Sequence, residues 1–124
     1  MAPPPEPRPI AILKSADPEA SIAWYEAAGF ALRGRFDMGE SLWWEVGRDG
    51  TVIQFLSGAT PWEGEPSLTG CIYVHVEGID AAFAALRPPV TSQWGIEDRD
   101  WGAREVVLTD PDGYFVTMTE TGAS

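Results

Sequence analysis

Short runs of alternating and continuous apolar residues are separated along this chain by turn residues, and twice a helical period interrupts them. Ile10 to Leu13 is an apolar run of strand length. Asp17-Pro18-Glu19 then opens a helix: Asp17 caps it, Pro18 suits the first helical position and Glu19 complements the dipole. The helix runs through Trp24 and Tyr25 and stops at Gly29. Phe30–Phe36, Leu42–Val46 and Thr51–Leu56 read as strands, the last two joined by an Asp-Gly turn at Asp49-Gly50.

After a stretch rich in Gly, Pro, Ser and Thr, Cys71–Val76 reads as another strand. Ile79, Ala82, Phe83 and Leu86 follow at i, i+3, i+4 and i+7, one buried helical face that Pro88-Pro89 ends. A shorter strand starts at Val90. Next comes an acidic loop punctuated by Trp94 and Trp101, and then a strand from Glu105 to Leu108. Asp110-Pro111-Asp112-Gly113 makes a turn into a last β-rich run through Met118.

The predicted order is therefore β-α-β-β-β, a linker, and β-α-β-β-β again. Asp17 and Asp80 at the two helix starts are 63 positions apart, and so are Gly50 and Gly113 at the two hairpin turns. Equal steps between two independent signals indicate an internal duplication. The expected divisions are a proline-rich arm at 1–9, a first module at 10–57, a linker at 58–68 and a second module at 69–124, together one compact domain.

Composition narrows the partners. The chain has 124 residues, 44% of them hydrophobic, and 19 acidic against 8 basic residues leave a net charge of −11. That field repels nucleic acid and anionic membranes and attracts cations. No apolar run reaches the length of a membrane span, and the N-terminus lacks the features of a signal peptide. A single cysteine, Cys71, allows no intrachain disulfide, which fits a cytoplasmic protein. Six tryptophans exceed what a core of this size requires, and an indole in a loop needs a partner for its N–H.

Two motifs resemble the vicinal oxygen chelate superfamily, which includes glyoxalase I, extradiol dioxygenases and the fosfomycin- and bleomycin-resistance proteins. One is Asp17-Pro18-Glu19-Ala20-Ser21-Ile22-Ala23-Trp24-Tyr25 ending at Gly29-Phe30; the other runs from Trp101 to Gly113. The resemblance implies an α+β fold of two βαβββ modules forming an incomplete barrel around a cavity, helices outside, often as a homodimer. In metal-dependent members His and Glu from both modules bind a divalent ion. Those positions fall here on Ile10, Gln54 (within Thr51–Leu56), Cys71 (or Tyr73 in a register shifted by two) and Thr117. Ile10 has no donor and Gln54 and Thr117 are weak neutral ones, so neither a metal nor another cofactor is expected.

Among the resembling proteins, those that confer bleomycin resistance bind the drug without transforming it. Cys71-Ile72-Tyr73-Val74-His75-Val76 resembles their aromatic-x-aromatic strand, with His75 in place of a large indole. Trp101-Gly102 followed by Arg104-Glu105 resembles their Trp-Gly-Arg-Glu segment with Ala103 inserted. The resemblance further implies a homodimer, arm-swapped through Pro7 and Pro9, with grooves at the subunit interface. Strand parity places Gln54, Trp44, Tyr73 and His75 on the cavity wall with Phe36, and Trp43 beneath the helices. With Trp101 these aromatics suit a planar or cationic small molecule of the bleomycin type, and Glu97, Asp98 and Asp100 supply charge nearby. The alternatives are a glyoxalase-family enzyme using His75 as general base, and an interaction protein with a vestigial cavity and an aromatic patch at Trp62 and Trp94.

Overall fold

The computed structural model describes residues 11–59, 64–66 and 71–121. The proline-rich arm, Ile10, Trp62 and most of the expected linker lie outside the described residues. In the first half β1 (Ala11–Lys14), α1 (Pro18–Ala27), β2 (Ala31–Asp37), β3 (Ser41–Arg48) and β4 (Thr51–Gly58) follow one another. In the second, β5 (Cys71–His75), α2 (Ile79–Ala84), β6 (Ser92–Asp98), β7 (Ala103–Thr109) and β8 (Phe115–Thr121) repeat that order. Each half makes its own four-stranded mixed sheet, β1-β4-β3-β2 and β5-β8-β7-β6, with the first strand parallel to the last. This is the α+β pair of βαβββ modules, with both sheets left open rather than closed into barrels.

Local chemistry explains the elements. Asp17 Oδ1 accepts from the Ala20 N–H at 3.2 Å, Pro18 occupies the first turn, and Gly29 leaves the helix at φ +96°. Asp49 and Gly50 both take positive φ, as a two-residue type I′ hairpin requires, so Arg48 pairs with Thr51 and Trp44 with Phe55. The second hairpin is looser: five residues, 110–114, separate β7 from β8. Asp110 Oδ1 closes it by accepting from the Asp112 and Tyr114 N–H groups, each at 2.9 Å.

Three expectations are corrected. The second helix is capped at Gly78, 61 rather than 63 positions after Asp17, and Asp80 sits inside its first turn. Gly78 has no side chain to cap with, and Glu120 on β8 accepts from the Gly78 N–H at 2.6 Å and the Ile79 N–H at 3.2 Å instead. The acidic stretch is not a loop up to Trp101, because Ser92–Asp98 forms the edge strand β6. Val90 precedes that strand and is buried in the core.

The faces of both sheets that carry the helices share one core. Trp24, Tyr25, Trp44, Ile53 and Phe55 of the first half join Val74, Ile79, Val106, Leu108, Val116 and Met118 of the second. Polar bonds pin the halves together. Tyr25 Oη donates to Asp110 Oδ2 at 2.6 Å, Tyr114 Oη to the Lys14 carbonyl at 2.8 Å, and the Ala16 N–H to Asp112 Oδ1 at 2.9 Å. With the helix-bearing faces turned inward, the other face of each sheet opens away from the shared core.

Candidate functional site

Each open face is a trough in its burial, with the two central strands as the covered floor and the more exposed edge strands as rims. In the first sheet, register sets two rows across the strands: Lys14, Leu56, Trp43, Phe36, and beside it Ile12, Gln54, Glu45, Gly34. Phe36 on the rim is 62% exposed, while Trp43, Glu45 and Gln54 are half-buried on the floor. Trp43 Nε1 donates to Gln54 Oε1 at 3.1 Å, and Gln54 Nε2 donates to Glu45 Oε1 at 2.9 Å. The Gln54 amide is thereby held in one orientation.

Here the parity expectation fails. Trp44 faces the core, not the trough: it is 0% exposed and stacks on Phe55, centroids 5.4 Å apart at 17°. The type I′ hairpin sets Glu45, not Trp44, opposite Gln54, so Trp44 and Gln54 lie on opposite faces. Trp43, expected under the helices, takes the place in the trough.

In the second sheet, Cys71, Tyr73 and His75 of β5 face the trough over a floor containing Thr117, Thr119 and Glu105. Glu105 is only 1% exposed, and it is saturated: Arg99 Nε and Thr119 Oγ1 each donate at 3.0 Å, and Tyr73 Oη lies at 3.4 Å. Desolvation, and then the charge of Glu105, push the Tyr73 phenol above its ordinary value. Tyr73 itself is 50% exposed and Trp101, in the β6–β7 turn, 70%. Trp94 packs edge-on against Phe115 on the same side, centroids 6.4 Å apart.

The predicted acidic groups are largely spoken for. Glu97 lies 3.4 Å from Arg99, and Asp98 bonds Arg104 at 2.8 Å while Arg104 also reaches Asp80 at 3.0 Å. Asp100 is exposed in the turn. His75 lines a polar groove of ≈ 750 Å³ where the Arg48-Asp49 turn meets Glu77, Thr119 and Glu120. Among the described residues nothing hydrogen-bonds its ring, so no carboxylate orients it as a base.

The residues at the family's metal positions do not fit an ion. Gln54 is committed to Trp43 and Glu45, Cys71 Sγ lies 3.0 Å from Thr117 Oγ1, and Ile10 has no donor atom. Among the described residues no group of three or more His, Cys, Asp or Glu could hold a metal. Also among them, no helix is long and apolar enough to cross a membrane.

Of the residues that sequence reasoning singled out, Phe36, Gln54, Tyr73 and His75 lie on the open faces. That reasoning missed Glu45, Arg99 and Glu105, whose signals were a cross-strand partner in the hairpin and a lone acid inside the apolar run of β7.

No curated protein sequence matches the chain. Solved structures do. TioX from Micromonospora sp. ML1 superposes with a TM-score of 0.76 at 18% identity, over 91% of this chain and 97% of that one. TnmS3, an antibiotic binding protein from Streptomyces sp. CB03234, gives 0.71 at 20% identity, over 91% and 93%. A bleomycin-binding protein complexed with bleomycin gives 0.68 at 18%, over 94% and 100%. At these identities the likeness is one of fold. The model of the Glyoxalase/Bleomycin resistance protein/Dioxygenase superfamily matches residues 11–118, and the chain belongs to that superfamily.

Proposed function

We propose that this protein binds and sequesters a planar or cationic small molecule of the bleomycin type without the help of a metal. The observation that carries the reading is the pair of open sheet faces, whose margins leave Phe36, Tyr73, Trp94 and Trp101 exposed. Large aromatics left in water lose the burial that normally rewards them, and a flat guest restores it. Each trough is a half-site. In the proposed assembly, a cytoplasmic homodimer, the first trough of one copy closes against the second trough of its partner, with the proline-rich arm crossing between them. The kinship with antibiotic-binding structures supports this reading, as does a set of family metal positions now filled by Gln54, Cys71 and Thr117. The enzyme alternative draws no comparable support, because His75 has no orienting partner among the described residues.

The test is a titration of metal-stripped protein with metal-free bleomycin, followed by tryptophan fluorescence. Saturable quenching with two equivalent sites per dimer is the expected result. A protein that stays monomeric and shows no quenching by bleomycin or by other flat cations overturns the reading.

A further inference from the structure

The geometry points to Trp43 and Glu45 as the recognition pair for an aromatic cation, with the guest's ring laid on the indole and its positive charge set against the carboxylate. This rests on the reading of the chain as a binding protein and adds to it a particular place and a chemical class.

Trp43 is built as a platform. Its Nε1 end reaches β4 and is tied to Gln54, while its benzo end reaches β2 over Gly34. A Cβ at Gly34 would sit 3.3 Å from Cζ3 and 3.5 Å from Cη2, tighter than a relaxed contact. The glycine therefore makes room for the indole, whose long axis lies across three strands. The hydrogen bond at one end and the bare backbone at the other restrict its rotamers. A platform ordered before binding loses little entropy when a guest arrives.

Glu45 stands in the neighbouring row, and the same amide that holds the indole also holds its Oε1. Gln54 thus links ring and carboxylate into one unit. Phe36, in register with Trp43 on the edge strand, extends the aromatic surface. An aromatic face with a fixed carboxylate at its margin favours a guest that is flat and positively charged over a flat neutral or anionic one. The overall charge of −11 has the same preference.

The experiment follows 9-aminoacridine, a planar cation, by its own fluorescence anisotropy, with anthracene-2-sulfonate as a planar anion of similar size. The full-length protein should bind the first saturably and the second far more weakly. Trp43→Phe should weaken 9-aminoacridine about tenfold, and Glu45→Gln about fivefold. Gly34→Val keeps the indole but lifts it from its bed, and should weaken binding as Trp43→Phe does. Thermal melting run alongside identifies any variant that fails to fold, and Glu45→Gln changes the least bulk. If the parent binds bleomycin or 9-aminoacridine and all three folded variants bind as the parent does, this inference is overturned while the binding reading stands. Equal affinity for the anion overturns the charge assignment. If the parent binds neither bleomycin nor 9-aminoacridine, both readings fall together.

Discussion

Replacing Tyr25 with Phe tests how firmly the two halves are joined. The Tyr25 hydroxyl is fully buried on α1 and donates at 2.6 Å to Asp110 Oδ2, in the turn that closes the second sheet. Removing it leaves a buried carboxylate oxygen without that donor, and its other oxygen is already occupied by the Asp112 and Tyr114 N–H groups. A hydrogen bond to a charged, desolvated acceptor contributes about 1.5–3 kcal/mol. For 124 residues that corresponds to a fall of about 6–12 °C in the melting temperature at neutral pH. The effect then shrinks with alkalinity. Burial first, and the Asp110 charge second, hold the Tyr25 phenol well above 10.0. Its folded-state pKa being raised, the stability it contributes is fully present below the unfolded value and is lost as pH rises towards the folded one. At pH 11 ionisation of the unfolded tyrosine favours unfolding by about 1.4 kcal/mol. The gap between parent and Tyr25→Phe should therefore narrow by that amount. Burial also raises Asp110 from its ordinary carboxylate value, so stability linked to its proton fades as pH rises through the acid range, below this comparison. Thermal melts followed by circular dichroism at pH 7 and pH 11 measure both effects. A variant melting within about 1 °C of the parent at pH 7 refutes the first, and a gap unchanged at pH 11 refutes the second.

Two further substitutions separate core from site. Trp44→Ala should cost about 3–5 kcal/mol in urea unfolding, as truncating a buried aromatic does, and guest affinity measured on the folded fraction should not change. Trp44→Phe should cost much less, since among the described residues the indole N–H has no partner to lose. Glu120→Ala removes the carboxylate that caps α2 and should cost about 1 kcal/mol. Hydrogen exchange should quicken at the Gly78 and Ile79 amides ahead of the rest of the helix.

The repeat was legible because it is written in backbone chemistry that local residues dictate. Asp17-Pro18 starts a helix wherever it stands, Gly29 ends one, and Asp49-Gly50 closes a hairpin. The second module hides its signals better. Its helix borrows a cap from Glu120, 42 residues away from Gly78, so no local motif marks the start. β6 was expected too short and too early, from Val90, because Gly95, at φ +71°, lies where the pairing with β7 slips between Ser92 and Ile96. A shift of that kind breaks the period-two pattern by which strands are recognised.

The misplacement of Trp44 has a different cause, and the information needed to avoid it lay in the sequence. Parity within one strand says only that Trp43 and Trp44 point to opposite faces. Which of them meets Gln54 depends on the turn between β3 and β4, and a two-residue type I′ turn at Asp49-Gly50 settles it by pairing Glu45 with Gln54. Register, not alternation, decides the face. The acidic stretch carries the complementary lesson about charge. Counted along the chain, Glu97, Asp98 and Asp100 suggest a strongly negative groove; in space Arg99 and Arg104 compensate the first two. Glu45, which no run of acids announces, bonds the Gln54 amide and among the described residues makes no ion pair, the Arg33 guanidinium lying one row further along, over Gly47. A cation approaching this protein is thus drawn in by the whole chain's net charge, but is best held where a carboxylate has no guanidinium of its own, and in the first trough that place adjoins Trp43.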